Sequence, residues 1–283
     1  MNPNLSRAPV HAFQKWGELT RMLVSRNLKI RYKGSALGFF WSLLTPLAMI
    51  LIYAVFAGVL GMKKALLGMS GATFDYLPFL VTGIVVWQFT AGCLSDSLQA
   101  IAGNSNLVKK VYFPRVILPV STVLANGINF LLTFVILVAY LALDGSLRLG
   151  SVYWLVPALA TQLVLCLGLA LTVSTANVFY RDTEHIVGLV LLAWFFLSPI
   201  MYEAGLQTDL LGRMAWFPNP GLAYLNPMTG ILALYRKALM GMDFVPAGVS
   251  SAWILLSVGV AFALYGFGLF VLRRGDRRFG DVL

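Results

Sequence analysis

Six apolar stretches dominate the chain, at approximately residues 37–60, 78–101, 116–143, 152–178, 186–201 and 252–272. A helix needs about 20 apolar residues to cross a bilayer's hydrocarbon core. Five of the six stretches reach that length, and the one beginning at Ile186 is shorter, ending at Ser198-Pro199. The expected fold is an all-α integral membrane protein with six transmembrane helices. Charged residues make up 11% of the chain, against about 25% in soluble domains, so no soluble domain is expected beside the spans. Residues 1–36 read as a cytoplasmic head, 37–272 as the transmembrane domain and 273–283 as a basic cytoplasmic tail.

The net charge of +10 is compatible with a nucleic-acid partner. The cations lie in short segments beside the apolar spans, however, which points to lipid headgroups and topology instead. With a cytoplasmic N-terminus, 15 of the 21 Lys and Arg residues fall on that side. The positive-inside rule therefore places both termini in the cytoplasm. The charged head has no uninterrupted apolar core and is not a signal peptide. Cys93 and Cys166 each sit alone within a span, as small packing residues.

Within the head, residues 11–33 fit an amphipathic helix. Trp16, Leu19, Leu23 and Ile30 share one arc, while Lys15, Glu18, Arg26, Lys29 and Lys33 share the opposite one. Such a helix suits the membrane surface, although Arg21 and Arg31 break the pattern and a solvated basic flank is the alternative. The first span opens on small residues from Gly34 to Gly38 that permit close helix approach. Trp41 fits the headgroup level, whereas Tyr53 and Phe56 lie deeper, facing either lipid or a lumen.

The segment Asn104-Ser105-Asn106-Leu107-Val108-Lys109-Lys110-Val111-Tyr112-Phe113-Pro114-Arg115 places three cations beside apolar Val108, Val111, Tyr112 and Phe113. That mixture suits a protein partner on the cytoplasmic side; interfacial aromatics over lipid phosphates are the alternative. In the short turn at 179–185, Asp182 is expected to cap the helix that follows. His185 has no second histidine nearby to share a metal. Residues 203–250 are proline-rich and only intermittently apolar, with a helix-compatible piece at 227–240. Irregular backbone at membrane depth requires cover from protein or a water-filled cavity. Short re-entrant or interfacial helices at the outer face are therefore expected, with an ordinary loop as the alternative.

Polar groups inside the spans are few. Asp96 lies about a turn from a cytoplasmic end, and Asn126, Asn129 and Gln162 suit interhelical hydrogen bonds. A proton-coupled carrier needs buried ionisable groups near the midplane, and no such relay is visible. Nor is there a phosphate-cradling Gly-x-x-x-x-Gly-Lys-Ser/Thr run. If ATP drives this protein, a separate subunit binds it.

Several strings resemble the permeases of polysaccharide-exporting ABC transporters of the ABC-2 type. They are Arg26-Asn27-Leu28-Lys29-Ile30-Arg31-Tyr32-Lys33-Gly34-Ser35-Ala36-Leu37-Gly38, Trp41-Ser42-Leu43-Leu44-Thr45-Pro46, Leu107 through Arg115, Tyr180-Arg181-Asp182, Ser198-Pro199-Ile200-Met201-Tyr202 and Asn226-Pro227-Met228-Thr229. The resemblance implies two permease copies with two ATP-binding subunits, which would hold the ATP and Mg; no cofactor is expected in this chain. It implies a glycan on an undecaprenyl-diphosphate or similar carrier as substrate, crossing the inner membrane. On the same ground Asn106, Leu107, Val108, Lys109, Lys110, Tyr112, Phe113, Pro114 and Arg115 would dock the ATPase. The substrate would enter past Arg31, Tyr32, Lys33 and Ser35, whose cations suit a diphosphate. Tyr53, Phe56, Trp87 and Trp194 are expected to offer stacking faces to sugars; Trp194 and Phe195, adjacent on a helix, diverge by about 100°. O-antigen, capsule and teichoic-acid exporters remain open, as does a small-lipid or drug exporter. A membrane transferase would need clustered carboxylates or a histidine, and the acids here are scattered.

Overall fold

The computed structural model describes residues 8–32, 76–111, 113–205, 207, 219–241, 245, 250–276 and 278–279, with scattered residues between 40 and 55. The expected first span, with Tyr53 and Phe56, therefore lies largely outside the described residues. Every regular element among them is helical. In chain order these are α1 (Ala8–Tyr32), α2 (Tyr76–Ser97), α3 (Gln99–Ala102), α4 (Ser105–Lys110) and α5 (Ile117–Leu143). There follow α6 (Leu155–Phe179), α7 (Thr183–Leu197), α8 (Pro227–Met240) and α9 (Ile254–Asp276), with short 3-10 turns at Leu149–Trp154, Pro220–Leu225 and Ser251–Trp253. Four of these segments, built on α2, α5, α6 and α9, are long and apolar enough to span a bilayer, while α7 is apolar but shorter. The chain is an integral membrane protein.

Helix α2 is the centre of the bundle. It is apolar on every side, and such a helix must be covered all round. Phe79, Leu80, Val86 and Cys93 are fully enclosed by residues of α5, α6 and α8. Phe89 stacks on Phe130 of α5 at 4.7 Å between ring centres, and Tyr235 of α8 meets Phe130 edge-on. Gln162 of α6 ties three helices together. Its Nε2 donates to the Val86 carbonyl at 2.8 Å and to Thr90 Oγ1 at 3.0 Å, and its Oε1 accepts from the Tyr235 hydroxyl at 2.7 Å. The interhelical role expected of Gln162 holds, because an amide in an apolar bundle must find partners.

Helices α6 and α9 lie closest together. A Cβ on Gly168 would stand 2.5 Å from the Tyr265 backbone nitrogen, so backbone packs directly on backbone there. Small residues make this approach possible. Helices α5 and α7 keep apolar faces uncovered within the chain: Leu124, Ile128, Leu131 and Val135 form an exposed stripe on α5, and α7 buries only Val187.

Helix α8 is short but almost completely enclosed. The Asn226 side chain accepts from the Met228 N–H at 3.1 Å, Pro227 occupies the first turn, and Gly241 leaves the helix at φ 70°. That left-handed exit favours glycine. Two local expectations change. The second stretch divides, with α2 stopping at Ser97 and α3 following. Asp182 stands at the start of α7 without a side-chain capping bond, and the Thr183 hydroxyl donates to the Tyr180 carbonyl at 2.6 Å instead.

Substituting Gly168 by Ala should reduce stability by roughly 1–3 kcal/mol, since the α6–α9 backbones have to separate. Gly266, whose Cβ position is open, should tolerate the same change. Thermal unfolding of the two detergent-solubilised variants makes the comparison; equal melting would contradict the close-packed seam.

Candidate functional site

The bundle has one basic end, where α1, α3, α4, the start of α5 and the last turns of α6 and α9 meet. Leu23 of α1 is buried there among Ile101, Val108, Phe113, Ile117 and Leu118, with Trp16 and Leu19 packed beside it. Three of the four residues on the expected apolar arc thus face protein, while Ile30 is exposed. The segment Asn106–Arg115 divides its duties. Asn106, Lys109, Lys110, Val111 and Pro114 are exposed, and Leu107 is half-buried. Val108 and Phe113, expected to be open to a partner, are buried in the chain's own core. An apolar side chain so close to α1 and α5 gains more by packing within the protomer. They anchor the segment whose other face is displayed, while Tyr112 lies outside the described residues.

Three polar links bind this end together. Arg26 Nη2 of α1 donates to Asn104 Oδ1 at 2.7 Å, just before α4. Arg31 forms an ion pair with Asp96 of α2, and Asn126 of α5 bridges it, accepting from Arg31 at 3.1 Å and donating to Asp96 at 2.8 Å. Arg115 Nη1 donates to Asp276 Oδ1 of α9 at 2.7 Å, its guanidinium 5.5 Å from the Phe279 ring centre. Arg31, one of the two arginines that broke the amphipathic pattern, therefore turns towards α2 and α5. A cavity of about 570 Å³ opens between α1, α2, α3 and α5, with Arg26, Arg31, Asp96, Asn104 and Asn126 in its wall. Arg31, expected as a cation available to substrate, already has an acidic partner; Lys33, Ser35 and the Tyr32 side chain lie outside the described residues.

Trp87 and Trp194 are brought together, but as packing. Trp87 is buried, and its ring meets Trp194 edge-on at 5.5 Å and Phe195 at 5.8 Å. Both neighbours on α7 reach it because Trp87 sits between them. Trp194 Nε1 donates to Asn226 Oδ1 at 2.8 Å, and Asn226 Nδ2 donates onward to Ser198 Oγ at 3.0 Å and to the Leu197 carbonyl at 3.3 Å. Trp87 is therefore enclosed within the chain, while Trp194 stays half-buried beside it.

The residue that sequence reasoning passed over is Arg236. It is fully buried, donating from Nη1 to the Pro199 carbonyl at 2.7 Å and from Nη2 to the Ile200 carbonyl at 2.8 Å. The guanidinium lies 3.3 Å over the Phe79 ring centre. Where α7 breaks at Ser198-Pro199, carbonyls lose their helical donors, and Arg236 supplies replacements. Gly83 makes room, since a Cβ there would stand 2.8 Å from the Ile200 oxygen and 2.9 Å from Arg236 Nη2. Tyr76 adds a bond to the Met201 carbonyl at 2.9 Å. Tyr202 donates to the Phe196 carbonyl at 2.9 Å. The available signal was Arg236, next to Lys237, within the mostly apolar piece at 227–240.

Residues 18–240 match the family described as ABC-2 type transporter. The sequence is 29% identical to the O-antigen export system permease protein RfbA of Klebsiella pneumoniae, over 94% of this chain and 95% of that protein. It is 30% identical to the O-antigen export system permease protein RfbA of Myxococcus xanthus, over 76% of this chain and 77% of that one. The polysialic acid transport protein KpsM of Escherichia coli is 22% identical, over 86% and 90% of the two chains.

Arg236→Leu should destabilise the bundle by about 2 kcal/mol or more, since it strips donors from buried carbonyls. Arg236→Lys should not restore it, because a lysine cannot reproduce the forked contacts. Folded yield and thermal unfolding read both variants; wild-type behaviour of Arg236→Leu would remove the capping role.

Proposed function

The chain belongs to the ABC-2 type transporter family, and we propose that it is the permease of an ATP-driven exporter of lipid-linked, O-antigen-type polysaccharide. The observation that carries this reading is the match, across nearly the full length of both chains, to an O-antigen export permease. A capsule-type polymer is the second reading, favoured by the weaker match to a polysialic acid transport protein.

In this reading two copies of the chain work with two ATP-binding subunits in the bacterial inner membrane, with both termini cytoplasmic and six spans per copy. The spans are the four long helices, α7, and residues 37–60. ATP and Mg reside in the partner subunits. Asn106, Lys109, Lys110, Val111 and Pro114 offer the docking face, and Val108 and Phe113 root it in the permease. Nucleotide-driven movement of the docked segment passes to α1 through Arg26–Asn104, to α5 through the adjoining chain, and to α9 through Arg115–Asp276. Rigid-body displacement of packed helices is the kind of change such links transmit.

The carrier diphosphate enters beside Arg31, Tyr32, Lys33 and Ser35. An anion approaching Arg31 competes with Asp96, so the ion pair makes this mouth selective for a strong, multivalent anion. Tyr53, Phe56 and the half-buried Trp194 are the aromatic candidates for contact with sugars, and buried Trp87 braces Trp194. Helix α8 and the turn at Pro220–Leu225 form a re-entrant hairpin. Its tip, Asn226-Pro227, lies beside Leu197 and Ser198, while the other end reaches Arg148, whose N–H donates to the Leu239 carbonyl at 2.8 Å.

Two measurements test these assignments. Reconstituted with its ATPase, the wild-type complex should hydrolyse ATP faster when lipid-linked O-antigen is added and not when the same glycan is added free; a flat response to every lipid-linked glycan refutes the substrate class. Charge reversal, Lys109→Glu with Lys110→Glu, should weaken ATPase association about tenfold or more, leaving the permease folded. Undiminished co-purification would remove the docking role.

A further inference from the structure

A groove of about 1080 Å³ runs between α6 and α9 at the basic end, and the roles assigned above leave it unused. Its mouth carries Arg273, Arg274 and Arg278, all exposed. Its wall continues up α9 along Phe267 and Phe270, which are 53% and 52% exposed. Its floor is made by Gly275, where a Cβ would stand 2.7 Å from Thr175 Cγ2 and 3.1 Å from Phe179 Cε2.

Among the described residues, the charge at the mouth is uncompensated. None of the described lining residues is acidic. Among the described residues, no carboxylate pairs with Arg273, Arg274 or Arg278, and nearby Asp276 is already engaged by Arg115. The Arg274 guanidinium rests 4.9 Å from the Phe270 ring centre. Stacking of this kind leaves the in-plane N–H donors free for a planar, bidentate contact.

We propose that this groove holds one anionic phospholipid, its phosphate among Arg273, Arg274 and Arg278 and an acyl chain along Phe267 and Phe270. A free phosphate would leave the aromatic wall unused. A soluble protein cannot reach it, because Phe267 and Phe270 lie within the membrane-spanning segment Ser251–Asp276. Only an amphiphile with its charge at one end matches arginines at the headgroup level above an apolar wall. The bound lipid lies over the α6–α9 seam at the basic end, where Gly275 packs against Thr175 and Phe179. The inference rests on the placement of α9 across the bilayer and not on the identity of the exported glycan.

The experiment uses the full complex with its ATPase, with no glycan added, in nanodiscs containing phosphatidylglycerol and phosphatidylcholine in equal amounts, followed by native mass spectrometry. The wild-type complex should retain phosphatidylglycerol preferentially. The triple variant R273Q/R274Q/R278Q should retain about tenfold less or lower still, since each arginine near an anionic surface contributes appreciably. R21Q/K29Q, which removes cations from the exposed face of α1, should retain it as wild type does. F267A/F270A should also lose it, through the wall and without any change of charge. Equal retention of the two lipids by wild type overturns the proposal without recourse to any variant. So does undiminished retention by the triple variant, loss of the ATPase subunit in place of lipid, or a retained mass that belongs to a polyprenyl diphosphate.

Discussion

A broken helix inside an apolar bundle needs donors for the carbonyls it frees, and the half of this permease away from the basic end is arranged around that need. Hydrocarbon supplies no hydrogen bonds, so an interruption at membrane depth survives only where protein satisfies it. Arg236 does so at Pro199 and Ile200, and a guanidinium suits the task because its fork spans two carbonyls at once. The surroundings follow from its presence. Gly83 stays bare to admit it, Phe79 covers its face, and α8 is enclosed because it carries this residue into the core. Burying the cation is costly, and the contacts with carbonyls and ring offset that cost.

The basic end works on a different principle. Its links, Arg26–Asn104, Arg31–Asp96–Asn126 and Arg115–Asp276, are partly exposed, and such pairs contribute little individually. Their value lies in connectivity. Each joins a different pair of elements, so α1, α4, α5 and α9 share one set of constraints around the buried Leu23 and Phe113. A surface that must be moved by another protein benefits from being tied together by contacts that reform readily.

How much of this was legible in the sequence depends on the kind of signal. Four of the six expected spans, the stop at Ser198-Pro199 and the cross-helix role of Gln162 follow from local chemistry, and they stand close to where they were expected. The ABC-2 resemblance also held, because ordered strings along a chain carry more information than any single one. What failed was partner choice. Val108 and Phe113 read as exposed from their setting among cations, yet burial is decided by α1, which lies far away in sequence. Trp87 and Trp194 carry the residue types of a sugar-stacking wall, but nothing local reveals that they meet one another. Arg236 fell on the sparsely basic side of a topology count, where it looked like an ordinary loop cation. Tertiary contacts decide such cases, and a linear pattern does not contain them.

Helix α7 has 15 residues, which at 1.5 Å per residue gives a rise of about 22 Å, short of a hydrocarbon core near 30 Å. The rest of the thickness on that flank is made up by Ser198 to Glu203 and the end of α8. Acyl chains beside a short, mostly uncovered helix must shorten, tilt or disorder. A bilayer that meets α7 by thinning would present a narrower dielectric barrier on that side than the bulk membrane does. Sensitivity to lipid tail length is thus built into the fold by the position of one proline.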